Sequence, residues 1–200
     1  MGAIMKFENN SFDISWSAPV IPSVGLAGIV IGSCHLQFAQ ILSKYRISEA
    51  EDLYQFVGSP ILRLECVETP MEITYLFSVA DKNLTNWNLY AGSPDHAAVD
   101  ARALAVLIRD SRVHAVKAWL FEYAKPNDKR THVYAGKLPQ GIGLGDRVAD
   151  LLPYTALIYD DAEEWFYADE SFGGLEITGY GEMEDYPDQP IVALAVIAGV

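Results

Sequence analysis

Hydrophobic and polar residues alternate along 113–123 with the period of two that is typical of β-strands, and several other short segments are rich in apolar, β-branched and aromatic residues. These patterns predict strands at 53–57, 61–67, 71–79, 113–123, 156–159 and 165–168, with 132–135 as a hairpin partner of 113–123. The continuous apolar run 191–198 predicts a buried strand. A helix is predicted over 97–109, because Ser93 and Pro94 form a helix start and the apolar residues after them recur at helical spacing.

One pattern occurs twice in the chain: Gly-Ile-x-(Ile/Leu)-Gly is found at 28–32 and again at 141–145. Each copy is followed by apolar residues at helical spacing, then by strand-like sequence. The pattern predicts a glycine turn with positive φ, an N-cap at Ser33 or Asp146, and a short amphipathic helix. We therefore predict an internal duplication with chance similarity as the alternative.

The predicted fold class is α+β, with a largely antiparallel sheet and a few short helices, because hairpins outnumber crossover units. We predict a single domain over 1–200, in which 23–67 and 137–180 are two equivalent halves with a strand and helix insert between them. The chain has 200 residues, of which 50% are hydrophobic and 12% aromatic. That composition can bury a sizeable core and is unlike that of a disordered chain.

Neither a membrane-spanning segment nor a secretory signal is predicted. No apolar run approaches the ~18 residues that a transmembrane helix requires. The N-terminal residues lack a basic region followed by an apolar one. We therefore expect a soluble protein in the cytoplasm.

The charge is concentrated in the last quarter of the chain. Residues 1–147 contain all 14 Lys and Arg residues and 15 of the 27 acidic ones, whereas residues 148–200 contain 12 acidic residues and no Lys or Arg. Such a negative field repels nucleic acid and anionic lipid surfaces and attracts cationic partners. We therefore expect a basic protein partner rather than nucleic acid or a membrane.

Large aromatic side chains are interleaved with these acids, which a solvating tail would lack. Acids beside aromatics are typical of protein interfaces, where they steer and anchor a partner. The alternative is that the aromatics face the core while the acids keep the other face soluble. The predicted partner-binding residues are Tyr159, Asp160, Asp161, Glu163, Glu164, Trp165, Tyr167, Asp169, Glu170, Glu182, Glu184, Asp185, Tyr186 and Asp188.

Sequence motifs for catalysis, metals and cofactors are weak. The glycines at 141–145 lack the Lys-Ser/Thr of a phosphate-binding loop, and the four histidines match no metal or nucleophile motif. Cys34 and Cys66 form no Cys-x-x-Cys pair, and we expect both to be buried, reduced thiols. We predict no catalytic residue, metal or cofactor, although carboxylate pairs in the acidic segment leave a carboxylate-dependent hydrolase as an alternative.

The repeated glycine turn, the short helix and hairpins after it, and the acidic, aromatic C-terminal part resemble immunity proteins of bacterial polymorphic toxin systems, including contact-dependent growth inhibition. The turn-and-helix unit is also similar to that of small outer-membrane assembly lipoproteins, although the chain has no lipoprotein signal. The first resemblance implies a cytoplasmic, non-enzymatic protein that binds and neutralises a cognate toxin domain. A ligand-binding or assembly-factor-binding module remains the alternative.

Overall fold

The computed structural model describes residues 12–80, 84–85, 102–123, 133–169 and 172–199. Residues 97–101 of the predicted helix and the candidate site residue Glu170 lie outside these ranges. The strands, in chain order, are β1 (Gly25–Leu26), β2 (Ile29–Val30), β3 (Arg46–Ser48), β4 (Leu53–Tyr54), β5 (Leu62–Glu68), β6 (Glu72–Val79), β7 (Leu84–Thr85), β8 (Arg102–Arg109), β9 (Arg112–Trp119), β10 (Glu122–Tyr123), β11 (Leu157–Asp160), β12 (Trp165–Ala168), β13 (Leu175–Thr178) and β14 (Ala193–Ile197).

Ten of these strands form one antiparallel sheet in the order β11-β12-β13-β14-β9-β8-β6-β5-β4-β3. Two further antiparallel pairs are β1 with β2 and β7 with β10. The helical segments of the described residues are α1 (His35–Ser43) and a 3-10 helix at Val148–Leu151. The predicted α+β class with a largely antiparallel sheet is therefore confirmed, and the sheet dominates the fold.

Residues that pair across neighbouring strands form rows, and successive rows point to opposite faces of the sheet. The two faces differ in polarity. One row contains Tyr159, Phe166, Ile177, Leu194, Ala118, Leu104, Phe77 and Leu64. All of these side chains belong to the hydrophobic core or pack against it, and we call their face the inner face. The neighbouring row points to the opposite, outer face, and contains Ile158, Tyr167, Glu176, Ala195, Lys117, Ala105, Leu76 and Glu65.

Helix α1 packs on the inner face through Phe38, Ile41 and Leu42, which are buried. The ring centroid of Phe38 lies 5.2 Å from that of Tyr75 on β6, in an edge-to-face arrangement that is favourable for aromatic pairs. The apolar spacing after the first glycine turn therefore forms the predicted amphipathic helix.

Both predicted N-caps lie one residue before the actual one. Cys34 caps α1, and Arg147 caps the 3-10 helix; neither side chain makes a capping hydrogen bond. The Ser33 hydroxyl instead donates to the Val30 carbonyl, and the Asp146 carboxylate accepts the Gly143 N–H. The predicted caps fail because both side chains bond backward to the turn and not forward to the helix.

Residues 102–109, predicted to be the end of a helix, form strand β8 instead. This strand pairs with β6 on one side and β9 on the other, and its central residues are buried on both faces. A strand that is apolar on both faces has no period-two pattern, and its composition is then difficult to distinguish from that of a buried helix. The helix prediction is therefore wrong over these residues.

The pairing of the strands corrects one further prediction. Strand β9 pairs with β8 and β14, not with 133–135, the described part of the predicted hairpin partner; the Ala135 N–H instead donates to the Trp16 carbonyl.

The prediction for the two cysteines is also corrected. Cys66 is exposed and Cys34 half-buried, so the expected burial of both thiols is wrong. Cys66 lies near the end of β5, where the strand extends beyond the residues that form the core. The predicted buried strand at 191–198, in contrast, is confirmed by β14.

All four glycines of the repeated pattern adopt positive φ, as predicted: Gly28 and Gly32 at 79°, Gly141 at 81° and Gly145 at 85°. The second glycine of each turn also makes the same backbone contacts. Gly32 N–H donates to the Val113 carbonyl, and Gly145 N–H donates to the Ile191 carbonyl. In return, the Val113 N–H donates to the Ser33 carbonyl, and the Ile191 N–H donates to the Asp146 carbonyl. Ser33 and Asp146 are the residues that follow the two glycines. The two turns are therefore joined to the sheet in the same way.

The strands that the two turns contact are neighbours in the sheet. Gly32 bonds to Val113 at the start of β9, and Gly145 bonds to Ile191 just before β14. Strands β9 and β14 pair with each other, with Trp119 opposite Ala193 and Ala115 opposite Ile197. The two turns are therefore attached to two adjacent, antiparallel strands.

Candidate protein-binding surface

The hairpin formed by β11 and β12 displays the first group of predicted site residues. At its turn, the Asp160 carboxylate accepts the N–H groups of Ala162 and Glu163, at 2.9 and 3.3 Å. The Glu164 N–H donates to the Asp160 carbonyl, and Glu164 itself has a φ of 57°. This local bonding is an Asx-type turn, and it leaves Asp161, Glu163 and Glu164 exposed.

The hairpin turn is fixed to the rest of the sheet by Thr178, a buried residue at the end of β13. Its hydroxyl donates to the Glu164 carbonyl at 2.7 Å. Because a buried hydroxyl without a partner is costly, this bond fixes the position of the turn relative to β13. The acids of the turn are therefore held on a defined surface.

A second acidic segment, 180–188, connects β13 to β14 and is organised by Gln189. The Gln189 side chain is only 3% exposed. Its amide oxygen accepts the N–H groups of Tyr180 and Gly181, and its amide nitrogen donates to the Gly181 carbonyl. Gln189 therefore provides the backbone of this segment with the partners that a neighbouring strand would otherwise supply. No sequence motif identified this residue.

The two acidic segments meet at Asp161 and Glu182. A hydrogen bond with Asp161, together with its charge, raises the pKa of the Glu182 carboxyl, and the charges of Asp185 and Glu184 act in the same direction. Burial and the charges of Glu164, Asp161 and Glu182 raise the pKa of Tyr159. These mutual influences place hairpin acids and segment acids on one continuous surface, which we call the acidic surface.

The aromatic members of the predicted site are divided between the two faces of the sheet. Tyr159 lies on the inner face with its ring centroid 4.8 Å from that of Phe166. Trp165 and Tyr167 are half-buried on the outer face. Tyr186 is exposed, and its ring centroid lies 6.3 Å from that of the exposed Tyr180. Aromatic anchors for a partner are therefore available beside the acids, whereas Tyr159 contributes mainly to packing.

Other acids of the predicted site have local structural contacts. The Asp169 carboxylate accepts the Ala156 N–H, and the Asp169 N–H donates to the Thr155 hydroxyl. Asp188 is exposed and lies 3.4 Å from Arg147. Glu184 and Asp185 are exposed in the second segment. Asp169 therefore fixes the base of the hairpin, while the other three contribute to the surface charge.

An open cleft of about 250 Å³ lies on the outer face beside the acidic surface. Glu163 and Glu164 line one part, and Trp119 and Trp165 contribute aromatic walls. Two cations that sequence reasoning did not place here, Arg102 and Lys117, also line the cleft. The Lys117 ammonium lies 4.7 Å from the centroid of the Trp165 ring, within the range of a cation–π interaction.

Glu176 lies between these groups on the outer face. Its neighbours in the row are Tyr167 on β12 and Ala195 on β14, and Lys117 lies beyond Ala195. Burial raises the pKa of Glu176, Lys117 lowers it, and Glu163 raises it. Because Ala195 is small, the Glu176 and Lys117 side chains can interact across it.

Three further features of the described residues concern metal ions, membranes and a histidine. None of their His, Cys, Asp and Glu side chains form a group of three or more that is arranged to hold a metal ion. Within the same residues, none of the helices has the length and apolar character needed to cross a membrane. The His35 ring nitrogen lies 2.7 Å from the Tyr75 hydroxyl, a contact that joins α1 to β6.

Comparisons with known proteins do not assign a family. No protein-family model matches the chain, and no curated protein matches it. Among solved structures, a cysteine-rich secretory protein from Staphylococcus aureus subsp. aureus Mu50 aligns with 92% of this chain at 11% identity and a TM-score of 0.35. The alignment covers 49% of that protein, so the chain spans about half of its length. A TM-score this low supports no conclusion about fold or function.

Proposed function

We propose that this protein is a non-enzymatic immunity protein of a bacterial polymorphic toxin system, such as contact-dependent growth inhibition. It binds a cognate, basic toxin domain in the cytoplasm through the acidic surface and so neutralises it. The observation that carries the proposal is that Glu163 and Glu164 of the hairpin line the same cleft as Tyr180 and Gly181 of the second acidic segment. Two segments that are separate in the sequence thereby form one negative surface beside exposed tyrosines.

The charge of this surface suits a toxin that acts on nucleic acid. A nuclease binds phosphates with basic side chains, and an inhibitor has to compete with nucleic acid for that basic surface. Clustered carboxylates increase the association rate by long-range attraction. Aromatic anchors such as Tyr180 and Tyr186 lower the dissociation rate by burying apolar area in the complex.

The test uses the partner that is recovered with the tagged protein from its native host, after its net charge has been calculated from its sequence. Asp161, Glu163 and Glu164 are replaced by lysine together; Asp160 is retained because it bonds to the turn. We expect a basic partner, slower association with the variant, and a weaker dependence of affinity on salt. Exposed charges more than roughly 8–10 Å apart are largely screened at physiological ionic strength. Added salt shortens this distance further and should therefore weaken binding of the wild-type protein.

The matched control replaces Glu51, Glu65 and Glu68 by lysine, which makes the same change in net charge at exposed positions on the other half of the sheet. We expect this control to retain neutralisation of the toxin and a salt dependence close to that of the wild-type protein. Equal affinity and equal salt dependence for the two triple variants would refute a specific role of the acidic surface.

The outer-face cleft favours a second candidate function, that of a ligand-binding module. Its Trp119 and Trp165 walls and its two cations, Arg102 and Lys117, are suited to a small aromatic or anionic ligand. Titration of the protein with small aromatic carboxylates, followed by tryptophan fluorescence, tests this alternative. A saturable change that Trp165→Phe removes would favour the ligand-binding function over the immunity function.

We also infer that the two halves of the sheet arose by internal duplication. The matching glycine turns, and the matching backbone bonds that join each turn to Val113 or Ile191, support this inference. Each turn and helix is followed by a three-stranded meander, β3–β5 in one half and β11–β13 in the other, and these meanders form the two ends of the sheet. In this interpretation β6 and β8 belong to the insert between the halves.

A further inference from the structure

Strand β11 forms one end of the ten-stranded sheet, and β3 forms the other. The two edges are built differently. Strand β11 pairs with β12 over four consecutive residues in unbroken register. Strand β3 is shorter, and its register shifts between Arg46 and Ser48. Short strands and bulges are the means by which proteins protect a sheet edge from pairing with another chain. The β3 edge is protected in this way, whereas the β11 edge is regular.

The outward backbone groups of β11 can be identified from the hydrogen bonds at its two ends. The carbonyls of Ala156 and Asp160 accept the N–H groups of Asp169 and Glu164, so both point toward the hairpin partner. In an antiparallel ladder the direction of these groups alternates from residue to residue. Leu157 therefore directs its N–H and C=O away from β12, as does Tyr159. In the part of the chain that the structure describes, no strand pairs with β11 on that side.

The side chains along this edge combine apolar and acidic character. Ile158 is 66% exposed on the outer face. The exposed acids Asp161, Glu163 and Glu164 follow directly after the strand. At the opposite edge, Ile47 is 51% exposed, but its neighbour Arg46 forms ion pairs with nearby acids. Among the described residues, a strand that approached β11 would therefore meet unpaired backbone groups, an exposed isoleucine and the acids of the hairpin turn.

We propose that β11 is a strand-addition site, at which an extended basic segment of the partner pairs with the backbone of Leu157 and Tyr159. An apolar side chain of that segment would contact Ile158, and its Lys or Arg residues would contact the acids of the hairpin turn. Such pairing gives affinity through main-chain hydrogen bonds and specificity through the alternating side chains. The proposal rests on the proposed function, since it names the way in which the partner binds.

The probe for this site is a capped peptide in which lysine and valine alternate. It is about eight residues long, which is within the usual length of a strand. Amide hydrogen exchange of the wild-type protein is measured with and without this peptide. We expect saturating peptide to slow exchange at Leu157 and Tyr159 by about tenfold or more, because their N–H groups gain acceptors. The same peptide with glutamate in place of lysine should not bind. Unchanged exchange at both amides, or equal protection at β3, would overturn the proposal.

A pair of matched variants tests the same site by affinity. Ile158→Lys adds a positive charge to the β11 edge, and Ile47→Lys makes the same change at β3. We expect Ile158→Lys to weaken binding of the lysine–valine peptide by about tenfold, since a lysine on an edge strand opposes pairing with a basic chain, and Ile47→Lys to leave it within about twofold. Equal effects of the two variants would overturn the proposal. Should Ile158→Lys fail to fold, the exchange measurement on the wild-type protein decides.

Failure of strand addition can be distinguished from failure of the proposed function. If the toxin complex depends on the acidic surface but leaves Leu157 and Tyr159 unprotected, strand addition is wrong and the immunity function stands. If these amides are protected by the peptide but the wild-type protein neutralises no toxin domain, the edge site stands and the proposed function is wrong.

Discussion

The ammonium group of Lys117 lies over the ring of Trp165, 4.7 Å from its centroid. The two residues are on β9 and β12, and strands β13 and β14 lie between them. Lys117 is thus a cation from the part of the sequence that holds all Lys and Arg residues, and it contacts an aromatic residue of the acidic part. The contact joins the turn end of the hairpin to the centre of the sheet.

Replacement of Lys117 by methionine removes this cation and retains most of the apolar stem. We expect the free energy of unfolding to fall by about 0.5–2 kcal/mol, the range of a cation–π interaction from exposed to desolvated sites. Chemical denaturation measures this value. Lys44→Met, at an exposed position just after α1, is the control and should change it by less. An equal effect of both variants would mean that the contact with Trp165 contributes nothing.

Replacement of Gln189 by leucine tests the internal anchor of the second acidic segment. The variant leaves the N–H groups of Tyr180 and Gly181 without their acceptor, so we expect the free energy of unfolding to fall by roughly 1–3 kcal/mol or more. Amide exchange in the segment should also accelerate more than exchange in β13. Slow exchange in the variant would show that other contacts hold the segment.

The two glycines Gly28 and Gly145 share a positive φ but differ in their surroundings. A Cβ at Gly28 would lie 2.1 Å from the Asp13 carbonyl oxygen, whereas at Gly145 the nearest atom would be Leu120 Cδ1 at 3.9 Å. We expect Gly145→Ala to cost about 1–2 kcal/mol for the left-handed conformation alone, and Gly28→Ala to cost more. Thermal or chemical unfolding of both variants tests the order, and the reverse order would contradict it.

Tyr134 is buried, and its hydroxyl accepts the Ala27 N–H and donates to the Ala18 carbonyl. Burial raises the pKa of Tyr134 to about 12, against the opposing effect of the Ala27 bond. The folded state therefore favours the neutral phenol. The contribution of neutral Tyr134 to the free energy of unfolding is complete below pH 10 and is lost between about pH 10 and 12. The loss should be about 2–3 kcal/mol, since one pKa unit corresponds to ~1.4 kcal/mol.

The matched variant is Tyr134→Phe, which cannot ionise. It should be less stable at pH 7 by roughly 1–3 kcal/mol, because two buried backbone groups lose their partner. Its stability should then fall less than that of the wild-type protein between pH 10 and 12. Parallel stability curves for the two proteins over this interval would rule out Tyr134 as the titrating group.

Protonation of the acidic surface should weaken partner binding. Because the hydrogen bond with Asp161 raises the pKa of Glu182 above 4.5, the free protein retains a proton there at a higher pH than an isolated glutamate would. A cationic partner favours the ionised carboxylate, so binding releases the proton and weakens as the pH falls through this region. Calorimetry in buffers of different ionisation enthalpy measures the proton release.

The variant Glu182→Gln should lose this part of the pH dependence. Glu184→Gln makes the same change in charge within the same segment and serves as the control, which should retain it. If both variants release as many protons on binding as the wild-type protein, the Asp161–Glu182 pair is not the group that titrates.

Several parts of the fold follow from local sequence. The aromatic character of 165–168 predicted β12 with its final bounds, because aromatic residues favour strands. The glycines of the repeated pattern were predicted to have positive φ, and all four do. Both features depend on residues that are neighbours in the chain, so they are accessible before any tertiary contact is known.

The helix predicted over 97–109 shows where local pattern is insufficient. Residues 103–108 are apolar on both faces, and they form a strand because β6 and β9 pair with them on either side, but nothing within the segment itself reports those neighbours. The role of Gln189 could not be predicted for the same reason, since the sequence around a glutamine does not show whether its side chain is buried. In the candidate site, Tyr159 was grouped with Trp165, although the pleat directs their side chains to opposite faces.

By itself, the sequence determined which quarter of the molecule is acidic, that its aromatic residues accompany the acids, and where several of its strands lie. Charge and periodicity are properties of the chain alone. Only the tertiary structure decided that 160–164 and 180–188 form one surface, that Lys117 reaches Trp165, and that β11 is an edge. These relationships join residues that are far apart in the chain, and they are set by the order of the strands and the register between them.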